Sequence, residues 1–363
     1  MRLWMKGLIG LVILTVIGFI GFRVFQDAIM WRILDRAMEA RFSSDAAHDQ
    51  TDGLHVYMCG TGSPAPDHKR AATCIGVVAG DQAFIFDSGS GGIRKLTRMQ
   101  FPMGQMQAAF ITHLHSDHID GLGEMMLMAW IGDSAFRSER LPIYGPRGTE
   151  HVVQAFNSAY EFDRSYRVAH HSAAGATPSG YGGTPQDVVL PAGPSAKKVI
   201  YQNEDVIITA ISVSHAPVEP AFGYRVDYKD RSISISGDTI YHPGFVAASK
   251  GVDVMFHEAE DPEMINRMAA ALEASGRNVA AEVFTDTLDY HATPEDAAKA
   301  AAEAEAAELI YYHIMPPVPS PALYSIWLGD ADKAFDGKIT VGEDGMLISL
   351  PAESDKIIKT RAF

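Results

Sequence analysis

Apolar positions along this chain fall into three kinds of run, each implying a different element. Residues 7–22 form 16 positions without a charge, and Leu3-Trp4-Met5 and Val24-Phe25 extend them across Lys6 and Arg23. That approaches the ~20 residues needed to cross a bilayer, with Lys6 and Arg23 long enough to reach the headgroups. In residues 26–42 the spacing of Ile29, Met30, Ile33, Leu34 and Met38 predicts an amphipathic helix, either continuing the first run as a stalk or lying at a membrane surface. From residue 54 onward the runs are short and strand-like. They cover residues 55–59, 74–79 and 82–87, the last two joined by Gly80-Asp81, then 108–111, 211–214, 233–236, 252–256 and 309–312. A helical stretch at 294–308 precedes the last of them. Strands alternating with helices predict α/β layers.

The expected organisation is a membrane anchor at 1–25, a juxtamembrane helix and linker at 26–53 (the linker itself at 48–53), and a folded domain at 54–363. A secretory signal competes with the anchor. The apolar run is long for a signal, however, and Val24-Phe25-Gln26-Asp27 lacks the small residues of a cleavage site, so an uncleaved single-pass anchor is preferred. Arg2 and Lys6 on one side face Arg23, Arg32, Arg36 and Arg41 on the other, so charge does not orient it. Cys59 and Cys74 are the only cysteines, one ending the first strand and one opening the second. Strand pairing could join them, and such a bond would persist only in an oxidising compartment; two unlinked buried thiols are the alternative. The preferred placement is a bacterial cytoplasmic membrane with the domain periplasmic or extracellular.

With 363 residues, 47% of them apolar, the chain can build a large core, and its formal charge of −15 removes any overall attraction for a phosphate backbone. Nucleic acid is therefore a disfavoured partner. Residues 172–195 are rich in Ala, Gly, Pro, Ser and Thr, with Tyr181 their one aromatic and no basic residue, which predicts a mobile loop. Met264, Ile265, Met268 and Leu272 recur at helical spacing and are expected to pack against the domain.

The chemistry is concentrated in Thr112-His113-Leu114-His115-Ser116-Asp117-His118-Ile119-Asp120-Gly121, directly after the strand-like run 108–111. Alternate side chains of a strand share a face, so His113 and His115 can reach one ion, while Asp117 and His118 on the following turn point to a second position. Imidazole and carboxylate suit zinc at an open, catalytic site, and also accept Mn2+ or Fe2+.

This motif resembles that of the metallo-β-lactamase superfamily, more narrowly its ribonuclease Z-like branch, and further motifs follow in the family's order. They are Ser214-His215-Ala216-Pro217, Gly237-Asp238-Thr239, His257-Glu258-Ala259, His291-Ala292-Thr293 and Tyr312-His313, together with the glycine-rich loop Gly60-Thr61-Gly62-Ser63-Pro64. The resemblance implies a four-layer αββα sandwich with two Zn2+ at one edge of its sheets. His113, His115 and His215 would hold the first ion, Asp117, His118 and His313 the second, and Asp238 would bridge them. By the same resemblance Asp117 orients or deprotonates the attacking water, His291 donates a proton to the leaving group, Glu258 orients His291, and Asp87 supports a ligating histidine; a simple buried pair is the alternative for Glu258 and His291. The implied function is dinuclear hydrolysis of a phosphodiester or related small ester. Sulfate-ester hydrolysis of the arylsulfatase kind and 3′-tRNA processing are the alternatives, and a non-catalytic metal-binding protein ranks last. A homodimer is left open.

Overall fold

The computed structural model describes residues 3–42, 51–132 and 135–363, so the first half of the expected linker, residues 48–50, lies outside the described residues. The chain divides into two compact units, Met1–Gln50 and Thr51–Phe363.

In the first unit a single 40-residue helix, Leu3–Phe42, carries both N-terminal apolar runs. At 1.5 Å per residue it is about 60 Å long, twice a hydrocarbon core of about 30 Å. The section Trp4–Glu39 is long and apolar enough to cross a membrane. Residues 26–42 therefore continue the first run in line, as a stalk would.

The second unit is built on two sheets. One has eight strands in the order Ile358–Arg361, Met346–Pro351, Gly53–Gly60, Cys74–Ala79, Gln82–Phe86, Met106–Phe110, Leu141–Gly145 and Gly183–Asp187. The other has seven, ordered Lys338–Val341, Glu308–Met315, Val254–Glu260, Arg231–Ile235, Ala221–Tyr228, Val206–Val213 and Lys197–Asn203. Their facing sides share one core, in which Val56, Val77, Phe84, Phe86 and Phe110 of the first meet Ile208, Phe222, Tyr224, Val226, Ile233, Phe256 and Ile310 of the second. Helix Leu122–Ile131 covers the outer face of the first sheet, and Pro243–Ala248 and Pro294–Glu303 cover that of the second. This is the four-layer αββα arrangement. Strand alternation enforces it, since Phe256 and Ile310 point between the sheets while Met255 and Leu309 point to the outer helices.

Most strands that carry the motifs run parallel within their sheets, Gln82–Phe86 beside Met106–Phe110 in one and Arg231–Ile235, Val254–Glu260 and Glu308–Met315 side by side in the other, whereas Val206–Val213, which leads to His215, is antiparallel to both its neighbours. Their C-terminal ends carry the functional residues, as in open parallel sheets generally. A backbone bond from Ile314 to Thr61 O (2.9 Å) ties the sheets together there.

Two expectations are corrected. Residues 172–195 are not simply a mobile loop. Gly183–Asp187 pairs in parallel with Leu141–Gly145 as an edge strand, and Tyr181 is buried against Trp130, ring centroids 5.1 Å apart. An edge strand is held by backbone hydrogen bonds, which a composition rich in Ala, Gly, Pro, Ser and Thr does not exclude. The helix expected over 294–308 ends at Glu303, because Glu305 takes a left-handed conformation (φ 52) and Glu308 opens the next strand. Residues 262–272 do form a helix, Pro262–Ala274, with Ile265 and Ala269 buried.

Candidate metal centre

Strand Met106–Phe110 leads into His113 and His115, and the one-turn helix Ser116–Ile119 holds Asp117 and His118. His215 follows Val206–Val213, Asp238 follows Arg231–Ile235, and His313 lies near the end of Glu308–Met315. All seven converge. The ligand atoms of His113, His115, His215 and Asp238 lie within 4.8 Å of one another, as do those of Asp117, His118 and His313.

The spacings suit metal ions. Ligand atoms about 2.0–2.1 Å from a tetrahedral zinc stand about 3.3 Å from one another. His113 Nε2 is 3.0 Å from His115 Nδ1, which is 3.4 Å from His215 Nε2. In the second group Asp117 Oδ2 lies 3.4 Å from His118 Nε2 and 3.3 Å from His313 Nε2. Asp238 Oδ2 faces both groups, at 3.7 and 3.9 Å from His113 and His215 and at 3.3 and 3.2 Å from His118 and His313. His118 Nε2 and Asp238 Oδ1 are buried without a hydrogen-bond partner among the described residues, a costly state for polar atoms unless a cation completes them.

The electrostatics agree. Burial pulls His118 and His313 down, but Asp238, Asp117 and Asp87 hold His118 well above its ordinary value, and Asp238 and Asp117 hold His313 at about 9. Burial would raise Asp117 and Asp238, yet the surrounding imidazoles keep both carboxylates low. His113 and His215 are driven down chiefly by burial, His215 to about 4, which keeps them in the neutral form that binds metal. The pocket demands positive charge, and a divalent ion can supply it through these lone pairs.

Surrounding groups orient the candidate ligands. His118 Nδ1 donates to Asp87 Oδ2 at 2.7 Å, and His215 Nδ1 donates to Tyr290 O at 3.0 Å. Asp87 also receives Thr112 N and Thr112 Oγ1, each at 2.8 Å. Asp87 and His313 both adopt left-handed backbone conformations (φ 56 and 46), a strain that persists where neighbouring contacts over-determine it.

Glu258, within the last half of Val254–Glu260, is fully buried, and its Oε1 accepts Thr239 N (3.0 Å), Ala292 N (3.3 Å) and His291 Nδ1 (2.9 Å). With Nδ1 so engaged, the Nε2 edge of His291 is left for the centre. Its nearest ligand atom lies within 4.8 Å of those of Asp238 and His313. Burial pushes Glu258 up and His291 down, to about 4. Thr112 and Tyr290 were missed from the sequence. Thr112 sits at the head of the motif, which is a usable signal; Tyr290, whose ring packs on His215 and His291 at 4.9 and 4.8 Å, carries none. His170 and His171 are exposed side by side and belong to no metal-ligand cluster among the described residues.

Residues 83–314 match the family model of the beta-lactamase superfamily domain. The chain belongs to the metallo-β-lactamase superfamily. Within that superfamily it is similar to proteins named ribonuclease Z, at 31% identity to that of Mycolicibacterium gilvum, over 80% of this chain and 94% of that one. The ribonuclease Z of Mycobacterium bovis is likewise 31% identical, over 80% and 96%. Among solved structures, the metallo-β-lactamase-fold protein YhfI of Bacillus subtilis aligns with TM-score 0.57 at 18% identity, over 82% of this chain and all (100%) of that one. The short form of human tRNase Z aligns at 0.54 and 22%, over 82% and 99%. These structures share the fold. As a metallo-β-lactamase-fold member of the ribonuclease Z-like branch, the chain is a metal-dependent hydrolase.

Proposed function

We propose that this protein is a membrane-anchored dinuclear zinc hydrolase that cleaves a phosphodiester in a substrate smaller than tRNA. The observation that carries the reading is Asp238 Oδ2, which lies 3.2–3.9 Å from one histidine pair on each side and so sits where a carboxylate would be shared by two ions. A bound pair of divalent ions would supply a water of lowered pKa and positive charge for the phosphoryl oxygens. The chain's own groups do the rest. Asp117, at the edge of the second group, orients the attacking water and accepts its proton. Glu258 takes the Nδ1 hydrogen bond of His291 and so aims Nε2 at the leaving oxygen, to which Nε2 gives a proton from the imidazolium form, whose charge the Glu258 carboxylate balances.

The anchor reading rests on the helix Trp4–Glu39. An extracytoplasmic domain is supported by Cys59 and Cys74, joined as a disulfide across paired strands with Cα atoms 5.1 Å apart, since such bonds persist in oxidising compartments. Processing of tRNA is the second reading, favoured by the names of the relatives over nearly their full length. The anchor, the disulfide and the charge of −15 weigh against it.

The test uses the full chain in detergent, purified without chelator. Metal content is measured alongside hydrolysis of bis-p-nitrophenyl phosphate, p-nitrophenyl sulfate, a lactone and a precursor tRNA. Two zinc ions per chain with preferential phosphodiester cleavage supports the proposal. Efficient tRNA cutting returns the protein to RNA processing, preferential sulfate turnover makes it a sulfatase, and a metal-free, inactive protein refutes the catalytic reading.

A further inference from the structure

A cavity of about 400 Å³ opens beside the metal centre and shares Asp117 with it as a wall. Ser63, Ser90, Lys95 and Asp120 also line it, as do Asp67, His68 and Arg70. Ser63 is only 6% exposed, and its Oγ has no hydrogen-bond partner among the described residues. Asp120 is held in place by Ser90, which donates through its hydroxyl and its backbone N–H.

The chemistry of this wall limits what can occupy it. Both cations are committed elsewhere: Lys95 to Asp344 and to Lys69 O, and Arg70 to Thr61, Gly342 O and Tyr324. An anionic group would therefore meet Asp67, Asp117 and Asp120, with neither Lys95 nor Arg70 free to pair with it and only the exposed His68, 3.9 Å from Asp67, beside them. An apolar group would strip water from Asp120 and leave the Ser63 hydroxyl unpaired, each at a cost. A neutral hydroxyl group avoids both, because it donates to the Asp120 carboxylate and can exchange a hydrogen bond with Ser63. The volume exceeds what a single small alcohol fills.

We propose that this cavity is the subsite for one alcohol of the substrate, and that this alcohol is a neutral polyhydroxyl group of the glycerol or sugar type. The inference rests on the phosphodiesterase reading, because the cavity adjoins the centre through Asp117. Ser63 and Asp120 are its specificity-determining residues.

The test compares the full, metal-loaded chain on glyceryl p-nitrophenyl phosphate and ethyl p-nitrophenyl phosphate, with bis-p-nitrophenyl phosphate as the control for the reaction itself. The glyceryl ester is expected to have the higher kcat/KM, by about tenfold for two or more hydrogen bonds. Ser63→Ala should reduce that ratio about threefold to tenfold, and Asp120→Asn by at least as much. Saturation-transfer NMR with glyceryl methyl phosphate against dimethyl phosphate reads the same preference without turnover. A protein that cleaves the control but shows no glyceryl preference loses the subsite and keeps the reaction. One that cleaves no phosphodiester, yet transfers saturation to glyceryl protons in a Ser63-dependent way, keeps the subsite and loses the reaction. Preference for an ester with a terminal phosphate on that arm, or no preference in either assay, overturns the proposal.

Discussion

His118 Nδ1 donates to Asp87 Oδ2 at 2.7 Å, and Asp87 is itself fixed by the N–H and hydroxyl of Thr112, each at 2.8 Å. The contact fixes the tautomer of His118 and so turns its Nε2 toward Asp117 and Asp238. Asp87→Asn keeps a residue type that tolerates the left-handed backbone (φ 56), removes the charge and exchanges one of the two acceptor oxygens for an amide donor. Metal affinity is expected to fall about 10–100-fold, read by competition with a chromophoric chelator. Unchanged affinity would show that Asp87 is structural only.

The Glu258–His291 pair and Asp238 separate positioning from ligation. His291→Ala should lower kcat by about 10²–10⁴-fold, the range for loss of a general acid, with metal content unchanged. Asp238→Ala should lose metal and activity together, because its Oδ2 lies between the two histidine groups. Elemental analysis beside turnover distinguishes them, and loss of metal in the His291 variant would move that residue among the ligands.

The candidate ligands were legible in the sequence because their signal is local. Three imidazoles and a carboxylate within six positions have few reasons to be together, and His215, Asp238 and His313 each stand at or just beyond the end of a readable strand. Groups that act through tertiary contact left no such mark. Asp344 lies in a turn near the C-terminus, yet its buried carboxylate accepts Thr61 N at 2.9 Å and Ala71 N at 2.7 Å from the opposite end of the domain. Tyr290 looks like any loop aromatic until its carbonyl is found under His215. Strand Gly183–Asp187 was missed because edge pairing is written in backbone, not in side-chain alternation. The αββα layering, by contrast, could be expected from the alternation of strands and helices together with the family resemblance.

Gly237 is required where it stands. It has φ 63, and a Cβ there would lie 2.4 Å from Phe222 O and 3.1 Å from the Thr112 side chain. Gly237→Ala must therefore shift the backbone that presents Asp238. Expected are a stability loss of at least about 1–3 kcal/mol from the strained conformation and weakened metal binding, measured by urea unfolding with and without added zinc. A variant with wild-type stability and metal affinity would show that the turn relaxes freely.

Asp344 ties the glycine-rich loop to the end of the domain. Besides the two backbone groups it accepts the Thr61 hydroxyl at 2.6 Å and pairs with Lys95, with its side chain only 3% exposed. Asp344→Ala leaves those donors and the Lys95 ammonium without their acceptor. A loss of about 3–5 kcal/mol is expected, together with faster hydrogen exchange at Thr61 and Ala71. A loss below about 1 kcal/mol would mean that water replaces the carboxylate without cost.

The Cys59–Cys74 bond links stability to compartment. It closes a separation of 15 residues, for which the chain-entropy account expects about 3 kcal/mol of stabilisation. Cys59→Ala with Cys74→Ala should lose about that much in urea unfolding, and reduction should matter only for the wild type. Placement is tested separately, by alkylating thiols in protein taken directly from its native membrane without reductant. Both cysteines should resist until the protein is denatured and reduced. If both alkylate on denaturation alone, the domain faces a reducing compartment, and the argument that separates it from tRNA weakens with the loss of that placement.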